Sequence, residues 1–268
     1  MVELPPSLVE HARAWLASPG EPVPARDAAT VVLLRDGAAG LEAYLLLRRT
    51  SMAFAGGMYA FPGGSVDPRD GAPETGWAGP DASAWAAAFG CGEALARALV
   101  CAAVRETFEE SGVLLAGPSP DDVVADTTTE DWERERAALL DRSQSVAELL
   151  ARRRLVLRSD LLRPWGHWVT PEFEPRRFDT RFLVAALPAH QQARDVSSEA
   201  VVAEWVPVAA AVADAESGRR AMLPPTIAVL RELAGLGSMG AVLAANRTVR
   251  RICPRLVADG DALRLEIE

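Results

Sequence analysis

A segment near the middle of the chain carries an acidic side and an apolar side at helical spacing. From Arg105 to Gly112 it reads RETFEESG. At about 100° per residue, one side of a helix there holds three carboxylates: Glu106, Glu109 and Glu110. The opposite side is apolar: Val100, Val104 and Phe108. Because an apolar side is stable when buried, the segment predicts a helix over 92–111 that packs on a sheet and ends at Gly112.

The flanking sequence alternates between strand-like and helix-like stretches. Apolar and β-branched runs between turn residues predict strands: 29–34, 42–47, one ending at Phe61, 178–187 and 201–206. A 3.6-residue spacing predicts further helices: 7–17, 130–162, 208–216 and 225–236. The stretch 65–90 is rich in Gly, Pro and Asp and is predicted to be a long loop. The end of the chain predicts a hairpin of 249–257 with 262–267 that turns at 259–261.

The composition excludes several classes of protein. All 28 basic residues are arginine, which removes Schiff-base chemistry and a phosphate-loop lysine. A formal net charge of -9 argues against nucleic-acid partners, because such binding depends on neutralised phosphates. No apolar run approaches the roughly 20 residues that cross a bilayer, so no membrane partner is expected.

The cysteines and the first residues of the chain indicate a cellular compartment. The three cysteines are widely spaced and fit a reducing environment better than a disulfide framework. The first residues show no basic start followed by an apolar stretch, so no signal peptide is expected. The cytoplasm is therefore the predicted location.

The three carboxylates of the central helix predict a metal site. Like charges this close repel unless a positive charge lies among them, and a divalent cation is the simplest solution. Ligation by oxygen alone suits Mg²⁺ or Mn²⁺ rather than zinc. Arg105 offsets part of the charge, and a solvated acidic helix face is the alternative interpretation.

The order of these residues resembles the Nudix box, Gx₅Ex₇REUxEExGU, in which U is apolar. Gly64 matches the opening glycine, after the Pro-Gly-Gly break at 62–64. The helix matches the box at Arg105, Glu106, Glu109, Glu110 and Gly112, and Val113 matches the final apolar position. The chain is therefore similar to the Nudix hydrolases.

The box also departs from the family pattern. Arg105 follows Gly64 by 41 positions where the family has 14, which is an insertion of 27, and Thr107 replaces an apolar residue. The position eight before Arg105, normally a glutamate that braces the box arginine, is Arg97. Glu93 is the candidate to replace that glutamate.

An interrupted box is similar to that of one Nudix branch, which includes the mammalian peroxisomal coenzyme A diphosphatase. Further resemblance to this branch extends to other segments: 45–51, 61–67, 168–171, 176–182 and 224–226. The resemblance implies an α/β fold, the Nudix α/β/α sandwich, in which a mixed sheet lies between helices. It implies an N-terminal helix and lead-in over 1–28, a Nudix domain over 29–268, an insertion at 65–91 and a helical insertion at about 121–165. The helical region 130–162 is expected to cap the substrate cleft or to form a homodimer interface, and a helix-rich interaction scaffold is the alternative that it supports.

The resemblance implies hydrolysis of a diphosphate by metal-activated water. Glu106, Glu109 and Glu110 would hold Mg²⁺ or Mn²⁺ with the backbone carbonyl of Gly63, and Arg105 would orient the glutamates. A later acid often joins such a site. Glu199, just before the strand 201–206, is the candidate for a general base or extra ligand, and Glu204 is its competitor.

The expected substrate is a small nucleotide diphosphate: coenzyme A, acyl-CoA or a related nucleoside diphosphate derivative. Arginine forks bind phosphate oxygens, and the branch resemblance adds an acid, so the candidate substrate-binding residues are Arg48, Arg49, Arg177 and Asp179, with Arg176 and Arg181 beside them. Aromatic side chains offer a surface for an adenine or simply pack in the core: Trp165, Trp168 and Phe173. Hydrolysis of ADP-ribose or dinucleotides is the alternative activity, and a nucleotide sensor without catalysis is the alternative class.

Overall fold

A mixed sheet lies at the centre of the fold. The computed structural model describes residues 2–3, 6–259 and 262–267. Its strands are β1 (Val2–Glu3), β2 (Arg26–Gly37), β3 (Gly40–Arg48), β4 (Tyr59–Ala60), β5 (Gly63–Ser65), β6 (Trp77–Ala78), β7 (Ala116–Gly117), β8 (Val156–Arg158), β9 (Leu162–Val169), β10 (Phe178–Ala186), β11 (Ala200–Pro207), β12 (Arg251–Ile252), β13 (Arg255–Asp259) and β14 (Ala262–Glu266). The central sheet has the order β11-β3-β2-β10-β9-β12, with β4 on β3 and β5 on β2. Strands β2 and β10 are parallel, and β2 and β3 form an antiparallel hairpin.

Helices cover both faces of this sheet. They are α1 (Pro6–Ala17), α2 (Ala82–Phe89), α3 (Glu93–Ser111), α4 (Glu130–Leu140), α5 (Val146–Arg153), α6 (Val208–Glu216), α7 (Pro224–Leu236) and α8 (Met239–Ala244). Alternate residues of β2 face opposite ways, as the pleat requires. Val31 and Leu33 join the core that includes α3, whereas Val32 and Leu34 join the core that includes α7. The predicted α/β/α sandwich with a mixed sheet is therefore confirmed.

The insertion within the box is more ordered than its composition suggested. The predicted loop over 65–90 contains a 3-10 helix (Pro68–Gly71), β6 and α2. Helix α2 begins at Asp81, whose side chain accepts a hydrogen bond from the Ala84 N–H, and it ends at Gly90. Trp85 and Phe89 of α2 are buried in the core beside α3, so part of the insertion contributes to the main core.

The second insertion also differs from its prediction. The helical region predicted over 130–162 divides into α4, α5 and then β8, and β9 follows as a sheet strand that the sequence pattern did not reveal. Strand β8 joins β6 and β7 in a small sheet, so it ties the two insertions together. The predicted terminal hairpin is present as β13 and β14 and pairs with β1. Its first strand begins at Arg255 rather than at 249, because β12 instead pairs with β9 of the central sheet. Gly260 and Asp261 of its turn lie outside the described residues.

The helices of the described ranges were also compared with the length and apolar composition of a membrane span. No single helix meets both criteria. Helices α2 and α3 meet them only as a pair, and the chain bends by 93° between them.

Candidate active site

Helix α3 brings the predicted acidic side against β5, which pairs with β2 of the central sheet. Its apolar side, Val100, Val104 and Phe108, is fully buried, which fixes the rotation of the helix. Gly112 ends the helix with φ of 72°, a left-handed conformation that glycine adopts at little cost. Thr107, at the usually apolar position, is buried and donates its hydroxyl hydrogen to the Ala103 carbonyl at 2.7 Å. The threonine therefore satisfies its own polar group and leaves the helix intact.

The Gly63-Gly64 break, at the start of β5, lies directly against this helix. The Gly63 N–H donates to Oε2 of Glu110 at 2.8 Å. A Cβ placed on Gly64 would lie 2.4 Å from Oε1 of Glu106, so a larger residue there would displace that carboxylate from its present position. The insertion of 27 residues has therefore not separated the opening glycine of the box from its catalytic helix.

Arg105 ties the acidic side chains together. Its Nη1 donates to Glu106 at 2.8 Å and to Glu109 at 3.2 Å, and its Nη2 donates to the Ser65 carbonyl at 2.9 Å. Burial raises the pKa of Glu106 to about 7, and the positive charge of Arg105 opposes that rise. Burial also raises the pKa of Glu109, and the pKa of Glu110 is raised by burial and then by the charge of Glu106.

The residue that braces Arg105 is Asp70, and the prediction of Glu93 was wrong. Asp70 is 1% exposed, and its carboxylate accepts hydrogen bonds from Nε and Nη2 of Arg105 at 3.0 Å each. It also accepts a 2.8 Å bond from the Asp67 N–H, which caps the 3-10 helix. Glu93 is exposed in the first turn of α3, whereas Arg97 stacks over the Trp77 ring. Asp70 stands six positions after Gly64, the spacing that Gx₅E prescribes, so the insertion follows the first acid of the box.

The donor set fits a divalent cation. Glu110 accepts the Gly63 N–H, Glu106 lies in the space that Gly64 leaves open, and Nη1 of Arg105 lies between Glu106 and Glu109. Hard oxygen ligands of this kind suit Mg²⁺ or Mn²⁺. Across the described ranges, no group of three His, Cys, Asp or Glu side chains is already arranged as a metal site. Cation binding therefore requires Glu106 and Glu109 to turn away from Nη1 while Asp70 keeps hold of the guanidinium.

A cavity of about 890 Å³ opens beside these residues. Gly63, Gly64, Arg105 and Glu106 line it, and so do apolar side chains such as Phe54 and Trp168. Trp165 instead lies under the Arg247 guanidinium, and Phe173 belongs to a separate small core with Ala12 and Leu265. Of the three aromatic candidates for stacking, only Trp168 lines the cavity.

The two candidates for an additional acid, Glu199 and Glu204, differ in their position relative to the cavity. Glu199 lines the cavity, and its Oε2 lies 3.4 Å from Nη2 of Arg48. Its charge also raises the pKa of Glu110, so the two carboxylates are electrostatic neighbours. Glu204 accepts a 2.8 Å hydrogen bond from Arg220 and does not line the cavity. The position of Glu199 agrees with its assignment, whereas that of Glu204 does not.

Some of the candidate substrate-binding arginines line the cavity and others do not. Arg48 lines the cavity, as does Arg176. Arg49 lies outside it and donates to the Ser198 carbonyl. Arg177 is buried and donates to three backbone carbonyls, those of Thr170, Pro171 and Val23, which gives it a structural role.

Asp179 lies on the wrong face of β10 for the predicted role. Phe178 and Thr180 line the cavity, so the pleat turns Asp179 and Arg181 to the other face. There Asp179 accepts hydrogen bonds from Arg181 and pairs with Nε2 of His167 at 2.6 Å. The position of Asp179 beside Arg177 and Phe178 in the sequence therefore did not predict where its side chain points.

Arg142 lines the cavity and was missed by sequence reasoning. It follows α4 with φ of 60°, a left-handed conformation that is uncommon for arginine. Its carbonyl accepts a 2.9 Å hydrogen bond from Nη1 of Arg69, which holds the turn. In the part of the chain that the structure describes, its guanidinium has no partner, and its charge lowers the pKa of Glu109. No sequence pattern marks such a turn, because its conformation depends on a contact with Arg69, which is distant in sequence.

Comparison with known proteins agrees with this geometry. The model of the NUDT19 Nudix domain matches residues 91–233, which is more than half of the chain. The chain is 27% identical over 228 residues to the acyl-coenzyme A diphosphatase NUDT19 of Xenopus laevis, covering 72% of this chain and 59% of that protein. It is 25% identical over 211 residues to the putative nudix hydrolase 7 of Caenorhabditis elegans, covering 79% of this chain and 62% of that protein. The chain thus spans about three-fifths of the length of these two relatives.

A solved structure gives an independent comparison of the fold. The NUDIX hydrolase from Alicyclobacillus acidocaldarius superposes with a TM-score of 0.70 and is 30% identical in sequence. The superposition covers 84% of this chain and 98% of that one. The box residues, the sandwich fold and these matches agree: the chain belongs to the Nudix hydrolase family.

Proposed function

We propose that this protein is a divalent-metal-dependent diphosphatase that hydrolyses coenzyme A, acyl-CoA or a related nucleoside diphosphate derivative. The observation that carries the proposal is that the carboxylates of Glu106 and Glu110 meet the Gly63-Gly64 break, beside a cavity of about 890 Å³. The X. laevis relative, named as an acyl-coenzyme A diphosphatase, supports this choice of substrate.

The acidic residues of α3 would hold the cation. Glu106, Glu109 and Glu110 supply the carboxylates, and Gly63 lies against Glu110 where its carbonyl is a candidate fourth ligand. When bound, Mg²⁺ or Mn²⁺ supplies positive charge to the diphosphate and acidifies an attacking water. Asp70 and Ser65 hold the Arg105 guanidinium in place, so Arg105 acts by positioning the helix and its carboxylates.

Other cavity residues would bind the phosphates and move the proton. Arg48 and Arg142 present cationic groups that suit phosphate oxygens. Glu199 would accept a proton from the attacking water, and Arg48 keeps its carboxylate oriented. The water oxygen bonds to one phosphorus, the bridging oxygen leaves with the other, and two phosphate-bearing products result.

Product analysis tests the proposal. The protein is incubated with coenzyme A, ADP-ribose and diadenosine polyphosphates, each with Mg²⁺ or Mn²⁺ and with chelator, and the products are resolved by chromatography. We expect coenzyme A to yield 3′,5′-ADP and 4′-phosphopantetheine only when the cation is present. Preferential cleavage of ADP-ribose or of the dinucleotides would support the alternative activity instead. Binding without turnover of any diphosphate would identify a sensor, although all three acids that such sensors lose are present here.

Replacing Arg142 with glutamine is expected to lower kcat/KM by roughly tenfold, which is the loss of one charge-assisted hydrogen bond to phosphate. The melting temperature should not change, because the guanidinium has no partner among the described residues. Arg134→Gln, an exposed change on α4, is the matched control. Equal values of kcat/KM for the wild type and Arg142→Gln would show that Arg142 does not contact the substrate.

A further inference from the structure

Glu174 is a buried glutamate with one carboxylate oxygen, Oε1, that is unpaired among the described residues. Glu174 is 6% exposed, and its Oε1 has no hydrogen-bond partner within the described residues. Buried polar atoms in folded proteins are almost always paired, because an unpaired one keeps its full cost of desolvation. Burial accordingly raises the pKa of Glu174, and the nearby His11 opposes that rise. Because this unpaired oxygen lowers the stability of the fold, we expect Glu174 to have a role other than stabilising it.

The surrounding loop holds Glu174 in place. The loop joins β9 to β10, and the Glu174 N–H donates to the Pro171 carbonyl at 3.3 Å. The Arg177 guanidinium fastens the start of the loop through the Thr170 and Pro171 carbonyls. Phe173, the preceding residue, packs in a small core with Ala12 of α1. The carboxylate is therefore presented from a fixed backbone rather than from a free surface loop.

Glu174 lines the same cavity as Arg105 and Glu106 of α3. Apolar side chains such as Leu8, Phe178 and Leu265 also line this cavity, and so does Arg176 of the same loop. Within the described residues, the charge that acts on the pKa of Glu174 is that of His11, whereas the charge of Arg105 acts on the pKa of Glu106 and of Glu109. Besides its cationic side chains and Glu106, the cavity is therefore lined by a glutamate whose Oε1 has no partner among the described residues.

We propose that Glu174 is a specificity residue that accepts a hydrogen bond from an N–H group on the organic part of the substrate. An ionised carboxylate only accepts hydrogen bonds, so its partner must be a donor. The negative charge of the carboxylate repels phosphate oxygens, so Glu174 suits an organic group rather than a further phosphate. The identification of the ligand as a diphosphate ester rests on the proposed function, and two parts of such an ester carry N–H donors: an amide-bearing chain and the exocyclic amine of a nucleobase.

The unpaired oxygen of Glu174 would also let the protein discriminate between ligands. A site built to pair with a donor rejects a ligand that lacks one, since the buried acceptor then stays unpaired. A ligand with an N–H group at this position pairs with Oε1 and so offsets the desolvation cost of that oxygen in the ligand-free protein. Glu174 would therefore select among diphosphates by the group attached to them, while the residues of α3 act on the bond common to all of them.

The test measures binding and stability separately from turnover. Glu174→Gln keeps the size of the side chain and removes its charge, and Glu172→Gln, an exposed change in the same loop, is the matched control. Calorimetry without metal gives the Kd of 4′-phosphopantetheine, which carries amides, and of 3′,5′-ADP, which carries the amine. We expect Glu174→Gln to weaken one of the two by roughly tenfold and to spare the other, since a bond to a charged acceptor is about twice as strong as a neutral one. The weakened ligand identifies the source of the N–H group.

The same variant separates this role from a structural one. Removing an unpaired buried charge should raise the melting temperature of the ligand-free protein by roughly 2–4 °C. A fall in melting temperature, unchanged affinity for both ligands, or no binding of either by the wild type would overturn the proposal. Failure of the wild type to hydrolyse any diphosphate, with the expected change in affinity, would instead overturn only the proposed reaction.

Discussion

Replacing Glu110 with glutamine is expected to reduce kcat for the diphosphate substrate by about 100-fold or more, because loss of a ligand should exceed the 10–100-fold typical of groups that merely support ligands. Glutamine has the shape of glutamate, and its Oε1 can still accept the Gly63 N–H, so the fold should be retained. Initial rates at saturating metal and substrate measure the effect, and the melting temperature checks folding. Glu109→Gln should behave similarly.

The matched control for this experiment is Glu204→Gln. Glu204 pairs with Arg220 outside the cavity, so its replacement should leave kcat at the wild-type value. If Glu109→Gln and Glu110→Gln both retain wild-type rates, α3 does not hold the catalytic cation. A large loss in Glu204→Gln would mean that the later acid has been assigned to the wrong residue.

Replacing Asp70 with asparagine is expected to lower the free energy of unfolding by about 3 kcal/mol, the lower end of the cost of breaking a buried ion pair. The lower end applies because Arg105 keeps its bonds to Glu106, Glu109 and the Ser65 carbonyl. The rate of hydrolysis should also fall, since Arg105 is then free to stay on the carboxylates that hold the cation. Denaturant unfolding and initial rates measure the two effects.

Glu93→Gln is the control for Asp70, because Glu93 was the other candidate to brace Arg105. Its side chain is exposed at the start of α3, so neither stability nor rate should change beyond about 0.5 kcal/mol. Equal stability of Asp70→Asn and the wild type would contradict the assignment of Asp70 as the residue that holds Arg105.

The catalytic helix was the best predicted element, and its surroundings show why. The apolar and acidic sides of α3 are set by spacing within one helix, and the structure confirms them together with Gly112. The residue that braces Arg105 was predicted wrongly because the insertion lies within the box. The position found by counting back from Arg105 therefore differs from the one found by counting forward from Gly64. Counting back from Arg105 leads to Arg97, whereas counting forward from Gly64 leads to Asp70. Only the folded chain shows which of them meets Arg105.

Other errors came from features that sequence neighbours do not determine. Strand β9 contains Pro164 and two tryptophans and lacks the alternation that marks a strand with one exposed face. Asp179 was grouped with Arg177 and Phe178 by adjacency, although neighbouring residues of a strand point to opposite faces. Glu174 carries no sequence signal at all, since its burial depends on packing between α1 and the β9–β10 loop.

The most direct test of the central claim is a crystal of the protein grown or soaked with Mn²⁺ and measured for anomalous scattering. We expect an anomalous peak coordinated by oxygens of Glu106, Glu109 and Glu110, with Arg105 still bound to Asp70. No peak at α3 under conditions that support hydrolysis, with Glu106 and Glu109 still paired to Arg105, would contradict it.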